Sequence, residues 1–158
     1  MSGNVQARVV ESNNTGELIF APRIRDVISL FSSLEFSVIT GLEYSGFGNV
    51  TTDVDFRVDG LGDEGATSVA RSVDGDTLSF AFDSYIDLNE ESLFLSILTD
   101  ATEYDNTGSI TIFGQDTLGG TTVSVTLNNM PAPVPVPASA WLFASGLAAT
   151  AWQRRRKG

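Results

Sequence analysis

The sequence has no cysteine and no histidine, and its single lysine is Lys157, next to the last residue. These gaps exclude disulfides, thiolate chemistry, Cys/His zinc sites and any Ser-His-Asp or Cys-His catalytic arrangement. Both tryptophans, Trp141 and Trp152, lie close to the carboxy end, so the body lacks the strongest stacking ring. Positive charge is scarce there too. All 20 acidic residues precede Met130, and the five arginines among them leave that part of the chain at −15. A field of that sign repels phosphate backbones and anionic headgroups, so nucleic acid is not an expected partner.

The 158 residues suffice for one domain of ordinary size. Residues 1–16 are expected to be poorly structured. They also lack a basic start, an apolar run and a small-residue cleavage site, so an export signal is expected upstream of Met1.

From Glu17 to Asn129 the pattern is that of strands. Val50, Thr52, Val54, Phe56 and Val58 alternate with Thr51, Asp53, Asp55 and Arg57, which predicts a half-buried antiparallel strand. Val69 to Val73 and Leu78 to Phe82 flank Asp74-Gly75-Asp76-Thr77, a hairpin signal. Leu93 to Leu98 is apolar on both faces and suits a central strand. Ile110 to Phe113 and Thr122 to Leu127 are expected to pair. One helix is expected, over Ile24 to Leu34, where Ile24, Val27, Ile28 and Phe31 recur at helical spacing. Short strands between Gly, Asp and Asn turns predict an all-β fold, an antiparallel sandwich or jelly-roll, over residues 17–129.

Composition then changes. Pro131, Pro133, Pro135 and Pro137 follow in alternation, and residues 130–137 read as a stiff Pro-rich linker. Residues 138–153 are uncharged and read as a hydrophobic, transmembrane-like helix. From Ala138 to Trp152 such a helix spans about 22 Å at ~1.5 Å per residue, short of a ~30 Å hydrocarbon core. Residues 154–158, with Arg154, Arg155, Arg156 and Lys157, form a basic stop that stays cytoplasmic by the positive-inside rule and leaves the acidic body outside.

The order of parts from Val134-Pro135-Val136-Pro137-Ala138-Ser139, through Trp141-Leu142-Phe143, Ser145-Gly146, Leu147 and Trp152, to the basic cluster resembles the PEP-CTERM sorting domain. The resemblance covers about the last 25 residues. The name-giving motif is Pro-Glu-Pro; Pro135-Val136-Pro137 resembles the V-P-x-P-A variant. The resemblance implies recognition by an exosortase, a membrane-embedded protease-transpeptidase, with transient residence in the inner membrane before delivery to the cell surface or extracellular matrix. A plain carboxy-terminal anchor and an ordinary core helix are the alternatives for the same segment.

Three groups in the body carry candidate chemistry. Asp59 and Asp63 on one Gly-rich loop, with Asp74 and Asp76 on another, offer oxygen ligands of the kind Ca²⁺ takes, although Asp and Gly are also ordinary turn residues. Asp53 and Asp55 share one face of a strand, where a glycosidase-like acid/base pair competes with simple edge protection. Tyr44 and Phe47, with Tyr85 and Tyr104, are candidate rings for a sugar. The expectation is a non-enzymatic surface or matrix protein with a structural or adhesive β-domain and no bound cofactor. The alternative is a small carbohydrate-binding or carbohydrate-active domain, with exopolysaccharide as the ligand.

Overall fold

The computed structural model describes residues 2–29, 37–56, 61–116 and 120–134. Among the described residues nine strands run in the order β1 (Ser2–Glu11), β2 (Leu18–Ser29), β3 (Ser37–Ser45), β4 (Thr52–Phe56), β5 (Ser68–Arg71), β6 (Thr77–Ile86), β7 (Leu95–Thr99), β8 (Tyr104–Asp116) and β9 (Thr122–Pro133). They form two antiparallel sheets, one ordered β1-β2-β7-β4 and the other β5-β6-β3-β8-β9. The described residues are therefore all-β and sandwich-like, as the alternation predicts.

Alternation decides which side chains meet. In β6, Leu78, Phe80 and Phe82 are buried while Thr77, Ser79 and Ala81 face the other way. Leu42 and Tyr44 of β3 and Ile110 and Ile112 of β8 join them from the same sheet. Phe20 and Ile24 of β2 and Leu95 and Ile97 of β7 close the core from the opposite sheet. Burial of such side chains contributes roughly 1.5–3 kcal/mol each, the dominant favourable contribution in a chain without disulfides.

The expected hairpins are present. β5 and β6 pair through Val69 with Phe80 across a turn in which Gly75 has φ of 75°, and β8 and β9 pair through Ile110 with Leu127. The apolar run at Leu93 to Leu98 supplies β7, which has a neighbour on each side.

Three expectations are corrected. Residues 1–16 are not poorly structured: β1 pairs with β2 along its length, turning through a loop in which Ser12 donates to the Glu17 carbonyl at 2.8 Å. Its inward residues, Val5 and Val9, are few and interspersed with polar ones, which conceals the strand from a periodicity search.

The helix expected from Ile24 onward is strand β2 as far as Ser29, and residues 30–34 of that expectation lie outside the described residues. Ile24 and Val27 are both buried at a three-residue spacing that a regular strand would split between faces. Asp26, with φ of 49°, sits in a bulge that shifts the phase, and the pairing with β1 slips at the same place. The bulge imitates helical spacing.

Residues 130–134 are not a linker. β9 continues to Pro133, which pairs with Tyr104, and Val134 donates to the Glu103 carbonyl at 2.9 Å. β9 is an edge strand, the one place in a sheet where Pro131 and Pro133 remove no ladder bond. Asn129, with φ of 59°, provides the bulge that carries the strand into this segment.

Candidate functional site

Of the motif that begins at Val134, that residue alone is described; Pro135, Val136, Pro137, Ala138 and Ser139 lie outside the described residues. So do Trp141, Leu142, Phe143, Ser145, Gly146, Leu147, Trp152, Arg154, Arg155, Arg156 and Lys157. Within the described residues, no helix is long and apolar enough to cross a membrane.

The carboxylate loops serve as turns and latches. Asp59 lies outside the described residues. Asp63 Oδ2 accepts the Glu91 N–H at 2.9 Å, and the Asp63 N–H returns a bond to the Glu91 carbonyl at 2.8 Å. Asp74 Oδ1 takes a bond from the Ser72 hydroxyl and another from the Asp76 N–H, and these hold its carboxyl below the usual carboxylate range. Asp76 Oδ1 accepts the Gly48 N–H at 3.2 Å, docking the hairpin on the loop after β3. Among the described residues, no three His, Cys, Asp or Glu side chains gather as a metal-holding group.

Asp53 and Asp55 do share one exposed face of β4. Each spends its carboxylate on the next residue: Asp53 Oδ1 accepts the Val54 N–H at 2.9 Å and Asp55 Oδ1 the Phe56 N–H at 2.8 Å. β4 is an edge strand, and these donors are the ones a foreign strand would capture. Charge and capping together protect the edge.

The ring loop does not present two faces. Tyr44 and Phe47 are both buried, packed edge-to-face with centroids 5.0 Å apart, and Phe47 meets Phe20 at 5.5 Å. The Tyr44 hydroxyl donates to the Pro131 carbonyl, tying β3 to the end of β9, and burial pushes its phenol well above the usual range. Tyr104 is half exposed and touches Phe20 edge-on. Tyr85, with φ of 60°, stands exposed on a bulge of β6.

Three constellations lie outside these motifs. Arg71 donates to the carbonyls of Gly75, Phe47 and Val50 at 2.8, 2.9 and 2.7 Å, fastening the β5–β6 turn to the loop before β4. Arg23, a buried cation, pairs with Glu91, donates to the Ser92 carbonyl at 2.9 Å and lies 5.2 Å from the Phe94 ring, whose neighbourhood also holds the Arg8 guanidinium at 4.5 Å. No local motif announces contacts nearly seventy residues apart.

The third constellation was legible. On the outer face of the five-stranded sheet, Thr111 and Thr126 stand opposite each other with hydroxyls 2.9 Å apart, Ser45 and Thr77 at 3.0 Å, and Ser79 donates to Glu43 at 3.2 Å. The signal is the polar half of the alternation, Thr122, Ser124, Thr126 and Asn128 in β9 and Thr77 and Ser79 in β6. Between β4 and β5, two adjoining grooves of about 140 and 280 Å³ share Val54 and Val69. Both fall below the ~300–1,000 Å³ usual for small-molecule sites.

Comparison with protein-family models, with curated proteins and with solved structures finds no match in any of the three.

Proposed function

We propose that this chain is an exported bacterial surface or matrix protein whose acidic β-domain is delivered by a PEP-CTERM-like carboxy-terminal signal and handed to an exosortase. The observation that carries the reading is the order of parts from Val134 to Lys157: Pro motif, short uncharged segment, basic stop. The end of the folded domain supports it. The last ladder pair of β9 joins Tyr104 to Pro133, immediately before the motif, so cleavage near Pro137 or Ala138 would leave both sheets whole. The uncharged segment is too short for a comfortable anchor, and Ser145-Gly146 in its middle suits close approach of another membrane helix.

Mass spectrometry of the mature protein from its native cells tests this. A carboxy terminus near Pro137 or Ala138 is expected. An intact Gly158 would establish the plain anchor instead.

A second reading gives the β-domain a carbohydrate-binding role. The hydroxyl-bearing outer face of the five-stranded sheet favours it. Catalysis by Asp53 and Asp55 draws no support from carboxylates already committed to Val54 and Phe56. Replacing either by Asn is expected to change no activity on polysaccharide.

A further inference from the structure

The two outer faces of the sandwich differ in chemistry. Cross-strand register places Val10, Ile19, Leu98 and Asp53 in one row across the four-stranded sheet, with the exposed Arg8 on the same side. That surface is charged and apolar by turns. The five-stranded sheet presents instead a row of Thr77, Ser45, Ser109 and Asn128 and, two residues along, a row of Ser79, Glu43, Thr111 and Thr126. Seven of these eight positions carry a neutral hydroxyl or amide, in a body whose net charge is −15. Strand propensity alone would enrich Thr on both outer faces, and it does not.

We infer that this face is a docking surface for a neutral polysaccharide. The inference rests on the carbohydrate-binding reading of the β-domain and assigns it a surface and a ligand class. Four features carry it.

Each hydroxyl has one proton and two lone pairs, so a bonded pair such as Thr111 and Thr126 keeps one donor and several acceptor positions for a third partner. A surface that both donates and accepts matches a ligand of the same character, a polyol, rather than an ion of either sign. Glu43 adds one strong acceptor in the middle of the lattice, already oriented by Ser79.

The groups are also held before any ligand arrives. Threonine is stiff at χ1, and the cross-strand bonds fix the rotamers of Thr111, Thr126, Ser45 and Thr77. Little ordering entropy remains to be lost on binding.

Repetition is the third feature. Neighbouring strands lie about 4.8 Å apart and like-facing residues about 6.7 Å apart along a strand. The five-residue row from Ala70 in β5 to Thr126 in β9 therefore spans about 19 Å, enough to engage several units of a repeating polymer at once. Individually weak bonds then act together. Phe113, half-buried opposite Ser124, gives the same face one apolar ring.

Finally, the field of the body discriminates. Anionic polymers are repelled by the remaining surface, whereas a neutral chain pays no such penalty and its binding is indifferent to salt.

Affinity electrophoresis of the full chain in mild detergent tests the inference, in native gels containing hydroxyethylcellulose, galactomannan, xyloglucan or alginate. Retardation is expected in at least one neutral gel, at low and high salt alike, and none in alginate. The double variant T111V/T126V keeps shape and β-branching but removes two hydroxyls, and is expected to lose roughly tenfold in affinity. Thr126→Glu should lose at least as much, whereas Asp53→Asn on the other sheet should bind as the unaltered chain does.

Thermal unfolding of each variant separates lost contact from lost fold. Absence of retardation in every neutral gel, retardation in alginate alone, or equal retardation of T111V/T126V overturns the inference. So does a concentration-dependent dimer that Thr126→Glu abolishes in a chain that binds no polysaccharide, which would assign the face to a second copy. A processed carboxy terminus in a chain that binds none of these polymers would leave the sorting proposal standing and remove this one.

Discussion

Ser92 and Ile24 hold each other by two hydrogen bonds, the Ser92 hydroxyl accepting the Ile24 N–H at 2.9 Å and the Ser92 N–H donating to the Ile24 carbonyl at 3.0 Å. Both residues have 0% exposure. The pair joins β2 to the segment before β7, beyond the ladder of Ile19 and Phe20 with β7. A small hydroxyl thus replaces a missing strand contact. Ser92→Ala leaves the Ile24 N–H buried without an acceptor, and urea unfolding is expected to show a loss of about 1–3 kcal/mol. An unchanged midpoint would mean that water reaches this N–H.

Arg23 and Glu91 lie beside that bridge. The Arg23 side chain is 8% exposed and that of Glu91 23%, so the pair is largely removed from solvent. Glu91→Ala strands the Arg23 charge with the Ser92 carbonyl and the Phe94 ring, and a loss of about 3 kcal/mol is expected. Glu91→Gln keeps an acceptor and should lose less. Arg25, 39% exposed and 3.7 Å from Glu91, is expected to give less than about 1 kcal/mol on replacement by Ala. Equal destabilisation at Arg23 and Arg25 would refute the ranking.

At β4, the carboxylates of Asp53 and Asp55 cap the edge donors of Val54 and Phe56. Replacing both by Val frees those N–H groups and removes two charges from an edge that already exposes Phe56. In mild detergent, light scattering against protein concentration is expected to reveal association in this double variant and none in the unaltered chain. Secondary structure by circular dichroism should match between the two, since neither carboxylate is part of the core.

How the sequence reads depends on which half of an alternation is watched. The apolar half marks β4, β6, β8 and β9, where Val54, Phe80, Ile110 and Val125 face one core from alternating runs, while an unbroken apolar run marks β7 and the Asp74-Gly75 turn marks β5. It failed at β2, where the Asp26 bulge set Ile24 and Val27 three residues apart on one face, and at β1, where inward residues are too few to register. Tyr44 and Phe47 looked like loop rings because Gly46 and Gly48 surround them. Gly46, with φ of 117° and 2.6 Å between an added Cβ and the Ala132 Cβ, instead marks a close passage of two chain segments. The Asp74 loop forms the turn that its Asp and Gly predict, while neither it nor Asp63 carries a local sign of partners in distant segments. The polar half of β6, β8 and β9 is equally regular and carries the hydroxyl-bearing outer face.

Tyr44 provides a pH-dependent test of the core. Its phenol is buried, its hydroxyl donates to the Pro131 carbonyl, and burial raises its pKa above the unfolded value of about 10. Below pH ~10 the phenol is protonated in both folded and unfolded chains, so its contribution is constant. Above that, the unfolded chain releases the proton while the folded one retains it, and stability falls by up to about 1.4 kcal/mol per pH unit until the folded pKa is reached. Tyr44→Phe cannot ionise. At neutral pH it should be less stable than the unaltered chain by about 1 kcal/mol, the net worth of the bond to Pro131. Between pH 9 and 11 the two unfolding midpoints should converge and then cross, because only the unaltered chain loses stability through this residue. Parallel curves would show that the Tyr44 phenol ionises within the folded protein as easily as outside it, and would refute the burial of its hydroxyl against β9.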